Sequence, residues 1–215
     1  MGKVVADISV SLDGFVAGSR PTLEEPLGEG GERLHDWITR LAVWRQAHGM
    51  EGGEKGPEAE LVEAGLPASG AVVMGRKMFS GGKGSWDEDP NDRGWWGDDP
   101  PFHMPVFVIT HHAREALEME GGTTFHFVTG GVEAAVEQAS DVAGDRQVHV
   151  SGGGSIVQQA LSAGLLDELQ LHIAPVLLGG GTRLFDDPGN RDVRVERTRV
   201  LEGPQATHLW YRVVR

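Results

Sequence analysis

The 215-residue chain contains no cysteine. That excludes a disulfide framework, a thiolate zinc site and a thiol nucleophile, and it suits a reducing, cytoplasmic setting. Basic residues are also scarce: 19 lysines and arginines face 32 aspartates and glutamates, a formal net charge of -13. Nucleic acid and anionic membrane both demand a basic surface, so neither is expected as a partner, and any anionic ligand must be held by local geometry. There is no stretch of about 18 consecutive apolar residues, and the start MGKVVADISV lacks a basic region followed by a long apolar run. Neither a membrane span nor an export signal is expected. The absence of a Gly-x-Ser-x-Gly nucleophile elbow removes the simplest hydrolase reading. No composition break or proline- and serine-rich linker divides the chain, so one domain over residues 1–215 is expected.

What is present is an alternation of short apolar runs with helix-like segments. Residues 3–10, 71–74, 106–110, 123–128 and 147–151 read as strands. Continuous rather than alternating apolar runs predict strands covered on both faces, hence a parallel sheet flanked by helices. Residues 33–48 place Leu34, Trp37, Ile38, Leu41 and Trp44 at helical spacing, and 132–142 and 155–163 complete the helices, the last ending at Gly164. Residues 168–177, 193–201 and 208–214 are strand-like with no long helix between them, which predicts an antiparallel C-terminal edge. The expected class is mixed α/β with about eight strands.

Three strand ends carry features suited to phosphate. The run VHVSGGGSIVQQAL passes from a strand through Gly152, Gly153 and Gly154 to Ser155 and a helix. Bare amides can approach an anion there, beneath the positive end of the helix dipole; a tight turn that needs glycine for sterics alone is the other reading. The run VVMGRKMF ends a strand at Gly75 and puts Arg76 and Lys77 at a helix start. Cations there oppose the dipole by a few tenths of a kcal/mol each unless an anion lies between them and the amides. A third strand ends in the hydroxyl of Thr110. Three such ends suit a dinucleotide, because ligands of open α/β sheets sit at the carboxyl ends of the strands.

Taken together, SVSLDGFVAG (residues 9–18), VVMGRKMF (72–79), PVFVIT (105–110), VSGGGSIVQQAL (150–161) and DELQLHIAPVLLGGGTRLF (167–185) resemble, in order and spacing, the dihydrofolate reductase-like superfamily. The resemblance is strongest to the branch named after the C-terminal reductase domain of the bacterial riboflavin-biosynthesis deaminase/reductase (RibD). It implies a three-layer sandwich around a mixed, mostly parallel sheet, and hydride transfer from NADPH. It also implies that Gly75, Arg76 and Lys77 meet the adenosine phosphate, with Thr110 and His111 nearby and Arg76 selecting NADPH over NADH. Gly152, Gly153, Gly154, Ser155 and Ile156 would hold the pyrophosphate and nicotinamide side, while Ala6 and the loop of Leu12, Asp13 and Gly14 would pass over the nicotinamide. Two departures point away from the best-known substrates. The lysine usual before the SLDG-type loop in riboflavin-pathway reductases is missing from VADISVS, and the glycine-rich stretch 21–31 replaces a tryptophan of true dihydrofolate reductases.

Reduction of a C=N or C=C bond also needs a proton, from a carboxylic acid or ordered water. Asp13, Asp36 beside Trp37, and Glu58 or Glu60 ahead of VVMGR are candidate acids, each equally readable as a solvated carboxylate. Segment 81–102 carries Trp86, Trp95 and Trp96, an unusual investment for a loop, and is expected to contact substrate or a second copy of the chain. Residues 49–56 read as a glycine- and charge-rich insertion, and 179–181 as a bulge or turn. The nine histidines show no zinc-protease spacing; His149 and His172 lie in strand runs and read as packing residues, so no metal is expected. Because the antiparallel edge needs cover, a homodimer is expected. The combined reading is an NADPH-dependent reductase of a small, heterocyclic, pterin- or pyrimidine-like substrate, the alternative being a catalytically inactive nucleotide- or small-ligand-binding module of the same fold.

Overall fold

The valine-rich start of the chain becomes a central strand, β1 (Val4–Ser11), in a computed structural model that describes residues 2–65, 68–82, 84–186 and 192–214. Around it lie β3 (Ser69–Gly75), β4 (Pro105–Ile109), β6 (Thr124–Val128), β7 (Gln147–Gly152) and β8 (Glu168–Ala174). These run parallel in the order β8-β1-β7-β3-β4-β6. β11 (Thr207–Val214) adds antiparallel to β8, and β10 (Arg194–Glu202) adds antiparallel to β11, giving the predicted C-terminal edge. The two-residue β5 (Leu117–Glu118) adds antiparallel to β6 at the opposite edge, so the sheet has nine strands rather than about eight. β2 (Phe15–Ala17) pairs with β9 (Thr182–Arg183) in a separate ribbon beside the end of β1.

One face of the sheet is apolar across its centre. Ala6, Val10, Ala71, Val73, Phe107, Val148, Val150, Leu169 and Leu171 meet Val132, Ala135, Val136 and Ala139 of α5 (Gly131–Ala143) and Ile156, Val157, Ala160 and Leu161 of α6 (Gly154–Ser162). The other face has two covers. Over β3, β4 and β6, Phe79 of α4 (Arg76–Ser80), Phe102, Trp86 and Trp96 pack on Val72, Met74, Val106, Val108 and Phe125. Over β8 and β11, Trp37 of α1 (Asp36–Thr39), Leu41, and Ala59 of α3 (Pro57–Gly65) pack with Ala206. Between the covers, β1 and β7 present the half-buried polar side chains of Asp7, His149 and Ser151.

The helix expected over residues 33–48 is broken into a short 3-10 turn (Gly31–His35), α1 and α2 (Ala42–Ala47). Leu41 adopts an extended conformation (φ -71, ψ 142), and the Ala42 amide bonds the Glu54 carbonyl at 2.8 Å, so the glycine-rich insertion clamps the break. The tryptophan loop is tied down by its aromatics: Trp86 lies 4.8 Å edge-on from Phe127, and Trp96 lies 4.9 Å from Phe102. Burying such rings contributes about 2 kcal/mol apiece. Among the described residues no helix is long and apolar enough to cross a membrane.

Candidate functional site

The strand ends singled out from the sequence are neighbours in space, because β7, β3 and β4 are consecutive in the sheet, with Met74 beside Gly152 and Gly75 beside Ile109. The glycine triplet at this edge uses each glycine differently. Gly152 has φ +116, which L side chains rarely adopt. Gly154 packs so closely on Val16 that a Cβ would come within 2.5 Å of its Cγ2. Gly153, by contrast, is exposed, and a Cβ there would meet nothing within 4 Å. It stands at the N-cap of α6, which no side chain caps, so the first amides of the helix face open space. Ser155 is exposed in the first turn and Ile156 is buried behind it, where its side chain packs against Gly75.

The second corner is organised by an internal ion pair. The Arg76 side chain is 9% exposed and pairs with Asp89, itself 1% exposed. Arg76 Nε donates to Ser80 Oγ at 3.0 Å, Ser80 Oγ donates to Asp89 at 2.6 Å, and the guanidinium stacks 3.2 Å from the Trp86 ring centre. The tryptophan loop thus supplies, from within the chain, the anion that the cation at the start of α4 lacked. Arg76, expected to meet the adenosine phosphate and select NADPH over NADH, already has an anion within the chain, while its Nη1 is buried without a partner. Burial opposes ionisation of Asp89, but hydrogen bonds from Ser80 and Arg76 outweigh it and hold the carboxyl below its ordinary range. Beside this pair lies a cleft of about 960 Å³ whose lining includes Trp86, Asp89, His111, His112 and Arg114. Trp86 Nε1 bonds the His112 carbonyl at 2.8 Å, and Arg114 lies 4.5 Å from the Trp86 ring. Thr110 is buried and its hydroxyl accepts the His112 amide at 3.2 Å, whereas Lys77 and His111 are exposed.

The third feature is a row of polar side chains across the sheet face. Asp7 on β1 receives His172 Nε2 of β8 at 2.6 Å; His172 Nδ1 meets His208 Nδ1 of β11 at 2.7 Å; His208 Nε2 meets Glu58 of α3 at 3.0 Å. The Asp7 side chain is 28% exposed, while His208 and Glu58 are 0% and 4% exposed. Trp37 roofs the row, with its ring 4.8 Å from both imidazoles and its Nε1 donating to Ser9 Oγ at 3.0 Å. No group among the described residues has the ligands to hold a metal ion.

The candidate acids separate clearly. Glu58 enters the row, but Glu60 and Asp36 are exposed and make no contact with it. Asp13 is a clamp: Ser11 Oγ donates to it at 2.6 Å and the amides of Leu178 and Gly179 at 3.1 and 2.7 Å, tying the loop of Leu12 and Gly14 to the 176–181 turn. Those donors lower its pKa to about 2, so it carries no proton to give near neutrality. Leu12 is 63% exposed, and Gly14 needs its positive φ of 87. Ala6 is fully buried on the opposite face. Of the loop tryptophans, Trp86 borders the large cleft, Trp95 lines a second crevice of about 350 Å³ with Leu23 and Lys77, and Trp96 is packed inward. Asp7, His172 and His208 were not among the expected site residues.

Burial lowers the pKa of His208, His149 and His35 below the usual 6.5. Burial also opposes ionisation of Asp7, but the charge and hydrogen bond of His172 outweigh it and leave the carboxyl below 3.8. Histidines held neutral in the fold bind protons more readily when unfolded, so acidification from about 7 to about 5 favours the unfolded chain, with the carboxylates adding the same sign lower down. Calorimetry is expected to show a melting temperature falling steadily over that interval; a constant value would contradict this assignment.

A family model described as the RibD C-terminal domain matches residues 2–209. The chain belongs to that family. Among curated proteins, the uncharacterized protein YyaP of Bacillus subtilis (strain 168) is 20% identical over 210 residues, covering 93% of this chain and 89% of YyaP. Among solved structures, a Shewanella sp. PV-4 protein described as a riboflavin biosynthesis protein superposes with a TM-score of 0.65 at 20% identity, covering 99% of both chains. Dihydrofolate reductase from Enterococcus faecalis, solved with NADP(H), superposes with a TM-score of 0.53 at 13% identity, covering 99% of this chain and 96% of its own. The RibD C-terminal domain family and the dihydrofolate reductase-like fold are therefore shown, and the order β8-β1-β7-β3-β4 is the frame on which the site sits.

Proposed function

We propose that the chain is an NADPH-dependent reductase acting on a C=N or C=C bond of a small heterocycle. The observation that carries the reading is the edge formed by β7, β3 and β4, where an uncapped nine-residue helix aims its amides over the open space at Gly153. That cradle fits a pyrophosphate, since backbone donors and the helix dipole hold anions without a basic surface. The orphaned Nη1 of Arg76 and the cleft beside Trp86, with Arg114 and His111 on its wall, fit the adenosine end. Bound NADPH would supply a hydride from its nicotinamide ring. Residues of the chain bind and orient the reactants: Gly153, Gly154 and Ser155 the pyrophosphate, Arg114 and His111 the adenosine phosphate, and the polar strip of Asp7, His149 and Ser151 the acceptor.

Trp86 lines the cleft, so its emission reports occupancy. Titration with NADPH is expected to give a saturable change in tryptophan fluorescence in the micromolar range. No change up to millimolar NADPH would overturn the reading.

A further inference from the structure

The row beneath Trp37 has the connectivity of a proton path. Three hydrogen bonds join four titratable side chains drawn from β1, β8, β11 and α3. Each bond holds one proton, so three protons are shared over two carboxyls and two imidazoles, leaving one net negative charge. The Nδ1–Nδ1 contact at 2.7 Å decides the coupling, because one ring must donate there and the other must accept. A proton gained or lost at one end therefore resets the tautomer of both rings. With Asp7 ionised and His208 neutral, either His172 is an imidazolium and Glu58 a carboxylate, or His172 is neutral and Glu58 is protonated. The two arrangements differ only in which side of each bond the proton occupies.

The two ends differ in access. Asp7 is half-exposed on the strip between the covers, near the carboxyl end of the sheet, whereas Glu58 is sealed under the turn between β10 and β11. The seal is close: a Cβ at Gly203 would lie 2.0 Å from Glu58 Oε1. The other titratable groups facing the row are His149 on β7 and His35, with Asp36 beside it, on the turn leading into α1. His35 Nδ1 is buried without a partner and takes no part in the chain of bonds.

We infer that Asp7, His172, His208 and Glu58 form a single proton-sharing chain in which the Asp7 carboxylate relays a proton from His172 to the acceptor and His172, His208 and Glu58 are positioning residues that replenish it. This rests on the reductase reading. A bound NADPH would supply the hydride for the acceptor carbon, and the acceptor's nitrogen or second carbon would gain the His172 Nε2 proton, passed on through the Asp7 carboxylate. From the arrangement with Glu58 protonated, His172 Nδ1 then takes the proton of His208 and His208 Nε2 takes that of Glu58, so the row passes from three shared protons to two. The proton deficit comes to rest at Glu58, and solvent refills the chain through Asp7, its exposed end.

The test is a pH titration of the full chain labelled with 15N-histidine, comparing wild type with Asp7→Asn and Glu58→Gln. Asp7→Asn removes a charge that raises the His208 pKa through space, so a lower midpoint alone does not decide; the chain predicts in addition an exchange of the bare and protonated nitrogens of His208. His126, stacked on Phe107 outside the row, stays unchanged. Should Asp7→Asn fail to fold, Glu58→Gln is expected to exchange the bare and protonated nitrogens of His172. A remote imidazole whose nitrogens do not exchange in the variant that folds would overturn the inference. NADPH titrated into the same samples reports separately: coupled histidines without NADPH binding would leave the proton chain standing and remove the reductase reading with its hand-off step.

Discussion

Gly153→Leu is expected to lower NADPH affinity about a hundredfold while leaving the fold intact. The residue has φ -66 and ψ -177, a conformation open to any L-amino acid, and a Cβ there meets nothing within 4 Å. Leucine therefore adds no backbone strain, and its side chain enters the space that the α6 amides face. A pyrophosphate displaced from a helix N-terminus loses several charge-assisted hydrogen bonds, on the order of 3 kcal/mol or a hundredfold in affinity. Calorimetric NADPH titration beside a thermal melt separates the two effects: affinity falls by that factor while the melting temperature stays within about 2 °C. Undiminished affinity would remove the triplet from the site. Gly154 is the contrasting control, since its Cβ would collide with Val16 and substitution there costs stability first.

Asp89→Ala is expected to cost stability on the scale of a broken buried ion pair. Both partners are almost wholly removed from solvent, so neither screening nor hydration compensates for the charge left on Arg76. The loss is about 3–5 kcal/mol, which for a chain of this size lowers the melting temperature by on the order of 10 °C. The tryptophan loop loosens with it, because Trp86 stacks on the same guanidinium. Replacing both Arg76 and Asp89 with leucine recovers much of the loss, since an apolar pair needs no desolvated charge. A single variant melting within 1–2 °C of wild type would show that the pair contributes little.

The inner strands β1, β3, β4 and β7 were legible because each is a short apolar run, and Gly152 to Gly154 and Gly75 stood out because strand, glycine and helix follow without interruption. Segment 33–48 misled because its apolar spacing is helical, while the extended Leu41 and the backbone bond from Ala42 to Glu54 are tertiary features. β5 has two residues, too few for periodicity to register. The polar row was hidden for a different reason: His172 and Asp7 are 165 residues apart, and His208 and Glu58 are 150 apart, so no local spacing announces them. A signal was nevertheless present in β1, where Asp7, Ser9 and Ser11 alternate with Ala6, Ile8 and Val10. Period-two polarity in a central strand marks one face as functional rather than buried in apolar cover. Arg76 was recognised as anomalous at a helix start, but its partner Asp89 lies 13 residues away in the tryptophan loop and could be found only in three dimensions.

On the reading proposed above, a nicotinamide dinucleotide lies along the carboxyl edge of β1, β7, β3 and β4. A crystal structure of the chain grown with NADPH measures this directly. The predicted result is pyrophosphate against the amides of Gly153 to Ser155, the adenosine end in the cleft beside Trp86, and the nicotinamide ring over the strip that carries Asp7. Dinucleotide density elsewhere on the molecule, or none at saturating NADPH, would contradict it.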